Sequence, residues 1–218
     1  MKKILNHYRG VKSLKPFYLM LIGGLLLLAV SIIFNFYANR YTATHYSNGI
    51  NDLILDHIPT VNVEFIFLEG ILFFIAFVIL LGLYKPQRFP FMLKTAAVFI
   101  IVRAFFIILT HIGPPLHQAA FQPNGILEKW IFGSGEDLFF SGHTGFPFLM
   151  ALVFWDNKTL RFLLLASAIF FAGTVLFGHL HYSIDVFSAF FISYGVYKIS
   201  LKLFKKDYKI FHEYLPNI

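Results

Sequence analysis

The sequence predicts an all-α, polytopic membrane protein that forms a single domain over residues 1–218. Of these residues, 58% are hydrophobic and only 13% are charged, whereas soluble globular proteins contain about 25% charged residues. No polar stretch between the apolar segments is long enough to fold alone. The net charge of +7 comes from basic residues in the termini and short loops, so we expect no nucleic-acid partner.

Six apolar segments each approach the ~20 residues that cross about 30 Å of hydrocarbon. The first follows a basic N-terminus and is longer than the roughly 7–15 residues of a signal-peptide core, so we expect an uncleaved anchor. The predicted transmembrane helices lie at about 16–37, 61–84, 90–112, 139–156, 160–178 and 183–203.

The distribution of lysine and arginine predicts the orientation of these helices. The two opposite loops, about 38–60 and 113–138, hold only Arg40 and Lys129. Because basic residues concentrate in cytoplasmic loops, we expect both termini in the cytoplasm and the two long loops on the other side of the cell (inner) membrane. Fifteen of the eighteen basic residues lie in the N-terminal stretch, the C-terminal tail and the loops at 85–94 and 156–161.

Polar motifs lie where the fourth and sixth predicted helices begin, both on the non-cytoplasmic side. Ser141, Gly142 and His143 open the fourth helix, and His181 and Asp185 open the sixth. Serine is a favoured N-cap, and glycine lets an oxyanion approach the backbone closely. Because helix starts bind phosphate, the two motifs predict an anion pocket at the boundary of the bilayer.

The spacing of His181 and Asp185 predicts a catalytic pair. Residues four apart share a helix face, so Asp185 can accept the Nδ1 proton and leave Nε2 of His181 as a nucleophile or base. His143 is then the complementary acid for a leaving oxygen. Two alternatives stay open: each imidazole could be structural, or His143, His181 and Asp185, with His179, could bind zinc or iron.

The two motifs resemble those of a known superfamily. The stretches Gly135-Glu136-Asp137-Leu138-Phe139-Phe140-Ser141-Gly142-His143-Thr144 and His181-Tyr182-Ser183-Ile184-Asp185-Val186 are similar to the catalytic motifs of the type 2 phosphatidic acid phosphatase (PAP2) superfamily. The sphingomyelin synthase-related branch is the most similar, because it has an aspartate six residues before the SGHT histidine and an HYxxDV motif.

This resemblance implies a phosphohistidine mechanism without a metal or another cofactor. His181 would attack phosphorus, Asp185 would orient its imidazole, and His143 would protonate the leaving alkoxide. The chain also departs from the superfamily's phosphatases: Val175 replaces an arginine, His179 replaces a glycine, and no Lys-x6-Arg-Pro motif is present. These departures favour the synthase-related branch.

Arg103 is the only lysine or arginine well inside an apolar segment. A guanidinium there costs several kcal/mol unless it is paired, and its planar fork suits phosphate oxygens. Glu69, at a similar depth in the second segment, is its expected resting counter-ion, although the pair could also be purely structural. We expect the phosphate to be bound by Arg103, Ser141, Gly142 and Thr144. The auxiliary candidates are Asp137, Glu69 and His179.

The predicted function is the transfer of a phospho-headgroup from a phospholipid donor to a lipid alcohol through the phosphohistidine. A hydrolase that uses water as the acceptor is the alternative, since it would use the same residues. A small transporter that relays protons or ions is a third possibility, but the sequence lacks the related halves of such proteins. Membrane lipids are the expected partners.

Overall fold

The fold is described by a computed structural model covering residues 15–120 and 139–213. All regular secondary structure within these ranges is helical, which confirms the all-α part of the predicted fold class. A π-helical turn, Ile66–Gly70, leads directly into the second α-helix, and short 3-10 turns lie at Leu55–His57 and Pro86–Arg88. The α-helices are α1 Lys15–Thr42, α2 Ile71–Tyr84, α3 Phe89–Leu109, α4 Gly142–Val153, α5 Lys158–Phe177, α6 Ser183–Leu203 and α7 Lys205–Glu213.

Five helical stretches in the described ranges are long and apolar enough to cross a membrane, which indicates an integral membrane protein. The fourth predicted segment differs, because α4 has only 12 residues and would span ~18 Å at 1.5 Å per residue. A sixth crossing and cytoplasmic termini therefore stay predictions. The five stretches are Pro16–Thr42, Ile66–Tyr84, Pro86–Leu109, Lys158–Phe177 and Ser183–Leu203.

The caps of α4 explain why it is shorter than the apolar segment that predicted it. The Ser141 side chain accepts a hydrogen bond from the Thr144 N–H, so the helix begins at Gly142. At the other end, Phe154 leaves the helical conformation, and its N–H donates to the Met150 carbonyl. The aromatic residues that flank α4 are apolar but not helical. A hydropathy profile does not distinguish them from helical apolar residues.

α4 lies at the centre of the bundle, packed against α5 and α6. Gly145 permits the close approach of α6, because a Cβ atom there would lie 2.8 Å from the Ser193 hydroxyl oxygen. That hydroxyl donates to the Gly145 carbonyl at 3.1 Å. α3 packs beside α6 and also along α1, whose other side chains are largely exposed. The motif-bearing starts of α4 and α6 are therefore held by the most buried part of the fold.

The short helix α7 was not predicted from the sequence. It packs against the beginning of α3, where Lys94 and Asp207 form an ion pair at 2.6 Å. The buried Arg88 guanidinium lies over the rings of Phe154 and Phe211, at 5.3 and 4.6 Å from their centroids. A search for apolar segments misses such a helix because most of its residues are polar.

Candidate functional site

The start of α6 brings together the two residues of the predicted catalytic pair. His181 Nδ1 lies 3.5 Å from Asp185 Oδ2, and the two residues are only 4% and 2% exposed. This separation is longer than the roughly 2.7–3.2 Å of an N–H···O hydrogen bond. Nδ1 accordingly has no hydrogen-bond partner within the described residues. Catalytic contacts are often this long in an empty site and shorten when substrate binds.

Asp185 also links the two sequence motifs through its backbone. Its Oδ2 accepts a hydrogen bond from the Tyr182 N–H at 2.9 Å, which completes a cap at the start of α6. Its carbonyl accepts one from the Ser141 N–H at 3.1 Å. This backbone hydrogen bond therefore joins the starts of α4 and α6 directly.

The imidazole of His143 is buried between α4 and the π-helical turn that precedes α2. Its Nε2 lies 2.9 Å from the Phe67 carbonyl, and its ring stacks on the Phe67 ring with 4.0 Å between centroids. A carbonyl can only accept, so Nε2 carries the proton in this contact. Proton exchange with a substrate would then fall to Nδ1. His143 is within electrostatic range of both His181 and Arg103.

Arg103 of α3 reaches the start of α4. Its Nε donates to the Phe140 carbonyl at 3.0 Å. A Cβ atom at Gly142 would lie 3.2 Å from that same Nε, so the absence of a side chain lets the guanidinium lie against the helix start. Arg103 and Gly142 are both partly exposed. The cation and the positive end of α4 thus adjoin each other at an accessible place.

Ser141 and Thr144, also expected to bind phosphate, are fully buried. The Thr144 hydroxyl donates to the Ser141 hydroxyl oxygen at 3.2 Å, and the Thr144 N–H donates to the same oxygen at 3.4 Å. The two side chains face each other within the cap. They shape the start of α4, whereas Arg103 and Gly142 form its accessible side.

The start of α6 is occupied by two carboxylates. Besides the Asp185 contact with Tyr182, Asp52 Oδ2 accepts hydrogen bonds from the N–H and the hydroxyl of Ser183, both at 2.8 Å. The contact with Asp52 could not be expected from the sequence, since no local signal in the loop identifies a partner 131 positions away. The N–H groups of Tyr182 and Ser183 are therefore already bound by carboxylates, and phosphate binding at this helix start stays a prediction.

The auxiliary candidates lie in different environments. Glu69 Oε2 is buried without a hydrogen-bond partner in the described part of the chain, so it shows no pairing with Arg103. His179 Nδ1 lies 3.3 Å from the Thr60 hydroxyl oxygen and 3.5 Å from the Leu116 carbonyl, in the loop before α6. Asp137 lies outside the described residues. In residues 15–120 and 139–213, no three His, Asp or Glu side chains are grouped as metal ligands.

Comparison with known proteins agrees with these motifs. Residues 135–202 match the family described as PAP2 superfamily C-terminal. The matched region contains α4, α5 and nearly all of α6, and thus both histidines and the aspartate of the site. The sequence has no significant match among the curated proteins. The family match supports the PAP2 superfamily and indicates lipid phosphatase or phosphotransferase-type activity.

Proposed function

We propose that this protein is a membrane-embedded lipid phosphotransferase, related to the sphingomyelin synthase branch, that works through a phosphohistidine. The proposal is supported chiefly by the hydrogen bond from the Ser141 N–H to the Asp185 carbonyl, which joins the two helix starts. His181 and Asp185 lie at one start and His143 at the other, where the partly exposed Arg103 lies against Gly142. The PAP2 match supports lipid phosphatase or phosphotransferase-type activity in general.

In the first step, His181 Nε2 attacks phosphorus, a P–N bond forms, and the P–O bond to the lipid alkoxide breaks. Asp185 accepts the Nδ1–H of the imidazole and balances the positive charge that develops on it. His143, protonated at Nδ1, gives that proton to the departing alkoxide. Diacylglycerol leaves, and the phospho-headgroup stays on His181.

In the second step, the hydroxyl of a lipid alcohol attacks phosphorus and the P–N bond breaks. His143 Nδ1 takes the hydroxyl proton, which restores its protonated form for the next donor. The fixed contact between Nε2–H and Phe67 supports this assignment, because it holds the ring in one orientation while Nδ1 changes protonation. No net oxidation or reduction occurs, and no cofactor is required by the balance.

We assign phosphate binding chiefly to Arg103 and the backbone at Gly142. The guanidinium lies against the start of α4, so a phosphate there would meet both a cation and the positive helix end. Ser141 and Thr144 would act indirectly by capping the helix. Glu69 is assigned no phosphate contact, and Asp137 stays an auxiliary candidate on the basis of the sequence alone.

A lipid alcohol is the proposed acceptor because the site is lined by aromatic side chains. The His143 ring contacts Phe67 and lies 6.1 Å from the Phe171 ring centroid. Phe148 and Phe190 pack together between α4 and α6, with 5.1 Å between their ring centroids. Apolar walls exclude bulk water, which would otherwise hydrolyse the phosphohistidine.

The deciding experiment uses the purified full chain with phosphatidic acid, phosphatidylethanolamine or phosphatidylcholine as donor, each with and without ceramide or a monoalkyl alcohol. We expect diacylglycerol to form faster when the alcohol is present, and mass spectrometry to find the donor's phospho-headgroup on that alcohol. His181→Ala should abolish both products. Free phosphate or free phospho-headgroup as the sole product with every alcohol would instead identify a hydrolase. Loss of activity on chelation, with rescue by added metal, would contradict the phosphohistidine mechanism.

The proposed site faces the non-cytoplasmic side, as the distribution of basic residues predicts. Single cysteines at Asn124 and at Lys158 of this cysteine-free chain provide the test. An impermeant thiol reagent applied to intact cells should label Asn124→Cys and spare Lys158→Cys. The reverse pattern would invert the proposed orientation.

A further inference from the structure

The loop before the π-helical turn is tied to the start of α6 through one carboxylate. Asp52 is only 8% exposed. Its Oδ1 accepts from the N–H groups of Ile54 and Leu55 at 2.9 and 3.1 Å, within its own loop. Its Oδ2 accepts from the N–H and hydroxyl of Ser183, both at 2.8 Å. One side chain thus bridges two backbone segments with four hydrogen bonds.

Tyr182, the residue before Ser183, is held by the same loop and by a second one. Its hydroxyl accepts from the Ile50 N–H at 3.0 Å and donates to the Gly113 carbonyl at 2.9 Å. A Cβ atom at Gly49 would lie 2.4 Å from the Pro114 carbonyl oxygen, so only glycine allows the two loops to meet this closely. We call residues 47–55 and 111–114 the loop clamp.

The clamp holds Tyr182 and Ser183, two of the three residues that lie between His181 and Asp185 in the chain. The Tyr182 N–H is bound by Asp185, and the Ser183 N–H by Asp52. A shift of this backbone would therefore change the distance between His181 Nδ1 and Asp185 Oδ2, which at 3.5 Å has little room to lengthen. Neither Asp52 nor Tyr182 is needed as an acid, base or nucleophile.

We propose that Asp52 is a positioning residue for the reaction, which acts through Ser183 to fix the backbone that carries His181 and Asp185. This inference rests on the proposed function. Both carboxylate oxygens are required, because an amide has a single acceptor oxygen and must abandon either Ser183 or the Ile54 and Leu55 N–H groups.

The charge of Asp52 persists under ordinary assay conditions. Burial on its own would raise the pKa of this carboxyl, but the hydrogen bonds from Leu55, Ser183 and Ile54 together lower it below the usual 3.8. Because the pKa is lower in the folded state than in the unfolded state, the ionised carboxyl stabilises the fold at every pH above the usual pKa. That contribution is lost only as the pH falls through the lower folded-state pKa. The bridge is therefore complete throughout neutral and mildly acidic pH.

The test compares Asp52→Asn with Asp56→Asn in the purified full chain, using the donor from the panel above that wild type converts. Asp56 is a matched control, since it lies four residues further along the same loop and is exposed. We expect Asp52→Asn to lower kcat by about tenfold to 100-fold with KM little changed, because a small misplacement of a catalytic group has effects of this size. Asp56→Asn should match wild type in both constants.

The variant Ser183→Ala tests whether Asp52 affects kcat through Ser183. It removes the hydroxyl donor but keeps the N–H bond, so its loss of kcat should be smaller than that of Asp52→Asn. If Asp52 acts through Ser183, the double variant should lose less than the product of the two single losses. Independent, fully multiplicative effects would overturn the proposal. If Asp52→Asn does not fold, two other variants replace it: Ser183→Ala, and Asp52→Glu, which keeps both acceptor oxygens. Their kcat values are then compared with that of wild type.

The remaining outcomes separate this inference from the proposed function. A normal kcat for Asp52→Asn in an active enzyme contradicts the positioning role alone. A raised KM with unchanged kcat also contradicts it, since Asp52 would then be contacting substrate. If wild type converts no donor and forms no phosphohistidine, the proposed function fails first. Hydrogen–deuterium exchange at residues 181–186 should be faster in Asp52→Asn than in Asp56→Asn, and equal rates would overturn the bridge itself.

Discussion

The starts of α4 and α6 are joined by a hydrogen bond, yet they are built for different tasks. The start of α4 is capped by its own neutral hydroxyls, Ser141 and Thr144, and adjoins the partly exposed Arg103. The start of α6 receives two carboxylates, Asp52 and Asp185, on its first backbone N–H groups. The positive helix end is thus left for an incoming anion at α4 and neutralised internally at α6.

We propose that this difference divides the site into a half that binds phosphate and a half that reacts with it, called here the binding half and the reacting half. A phosphate attracted to α6 would compete with Asp52 and Asp185 for the N–H groups there, whereas at α4 it would meet the Arg103 guanidinium beside Gly142. Changes at the α6 start should therefore lower kcat, and changes to Arg103 or Gly142 at the α4 start should raise KM. His143, although it also lies at the start of α4, belongs to the reacting half because of its proposed proton transfer. Each of the following predictions tests one side of that division.

The largest effect is expected at α6. His181→Ala should abolish turnover and any covalent phosphoenzyme, because no other group forms the P–N bond. Asp185→Asn should keep substrate binding and lower kcat by about 10³–10⁴, as in other His–Asp pairs. Steady-state kinetics and acid-labile phosphate labelling measure both effects. Full activity of His181→Ala would end the phosphohistidine proposal, and a change in KM alone for Asp185→Asn would remove Asp185 from the reacting half.

The next effect concerns Arg103 at α4. Arg103→Lys keeps the charge but loses the planar fork, so kcat/KM should fall by about tenfold to 100-fold, mainly through KM, without loss of folding. Kinetics with the same donor, together with thermal unfolding, give the two readouts.

The competing explanation for Arg103 is an intramembrane ion pair with Glu69. Under that explanation, the double variant Glu69→Gln with Arg103→Gln should recover folding and activity together. Our expectation is that this double variant stays impaired, because Glu69 Oε2 has no partner in the described part of the chain. Recovered activity would remove Arg103 from phosphate binding.

A smaller effect is expected from Gly142→Ala. The added methyl group would lie 3.2 Å from Arg103 Nε, so the guanidinium must give way by a few tenths of an ångström. We expect KM to rise by about tenfold or less. Gly173→Ala in α5 is the matched control, since a Cβ atom there meets nothing within 4 Å. Equal kinetics for the two alanine variants would show that the contact between Arg103 and the start of α4 is unimportant.

How far the sequence predicts this site depends on whether its contacts are local. Hydropathy predicted the all-helical fold, and α6 begins and ends where the pattern indicated. The i, i+4 pair and the Ser141 cap were predictable because each depends on residues within one turn of helix. These are contacts whose geometry the spacing itself determines.

Long-range contacts could not be predicted in this way. Asp52 and Ser183 are 131 positions apart, and His143 and Phe67 are 76 apart. A backbone carbonyl such as that of Phe67 also carries no sequence signal, since every residue has one. For the same reason, the sequence did not predict that Asp52 binds the Ser183 N–H at the α6 start, because this carboxylate comes from a distant loop.

The smallest effect is expected at His179, where the PAP2 phosphatases have glycine. His179 has φ = 51°, a left-handed conformation that glycine adopts without strain. A side chain in this region costs roughly 1–2 kcal/mol, so His179→Gly relieves strain while it loses the contacts of Nδ1 with Thr60 and Leu116. His179→Ala loses the same contacts but keeps the strain, which makes it the matched control. We expect the free energy of unfolding of the glycine variant to exceed that of the alanine variant by about 1 kcal/mol. Both variants should keep near-normal kcat and KM, since neither helix start is altered. Thermal unfolding and steady-state kinetics decide the matter. A loss of kcat in both variants, at equal stability, would show that the imidazole itself takes part in the reacting half.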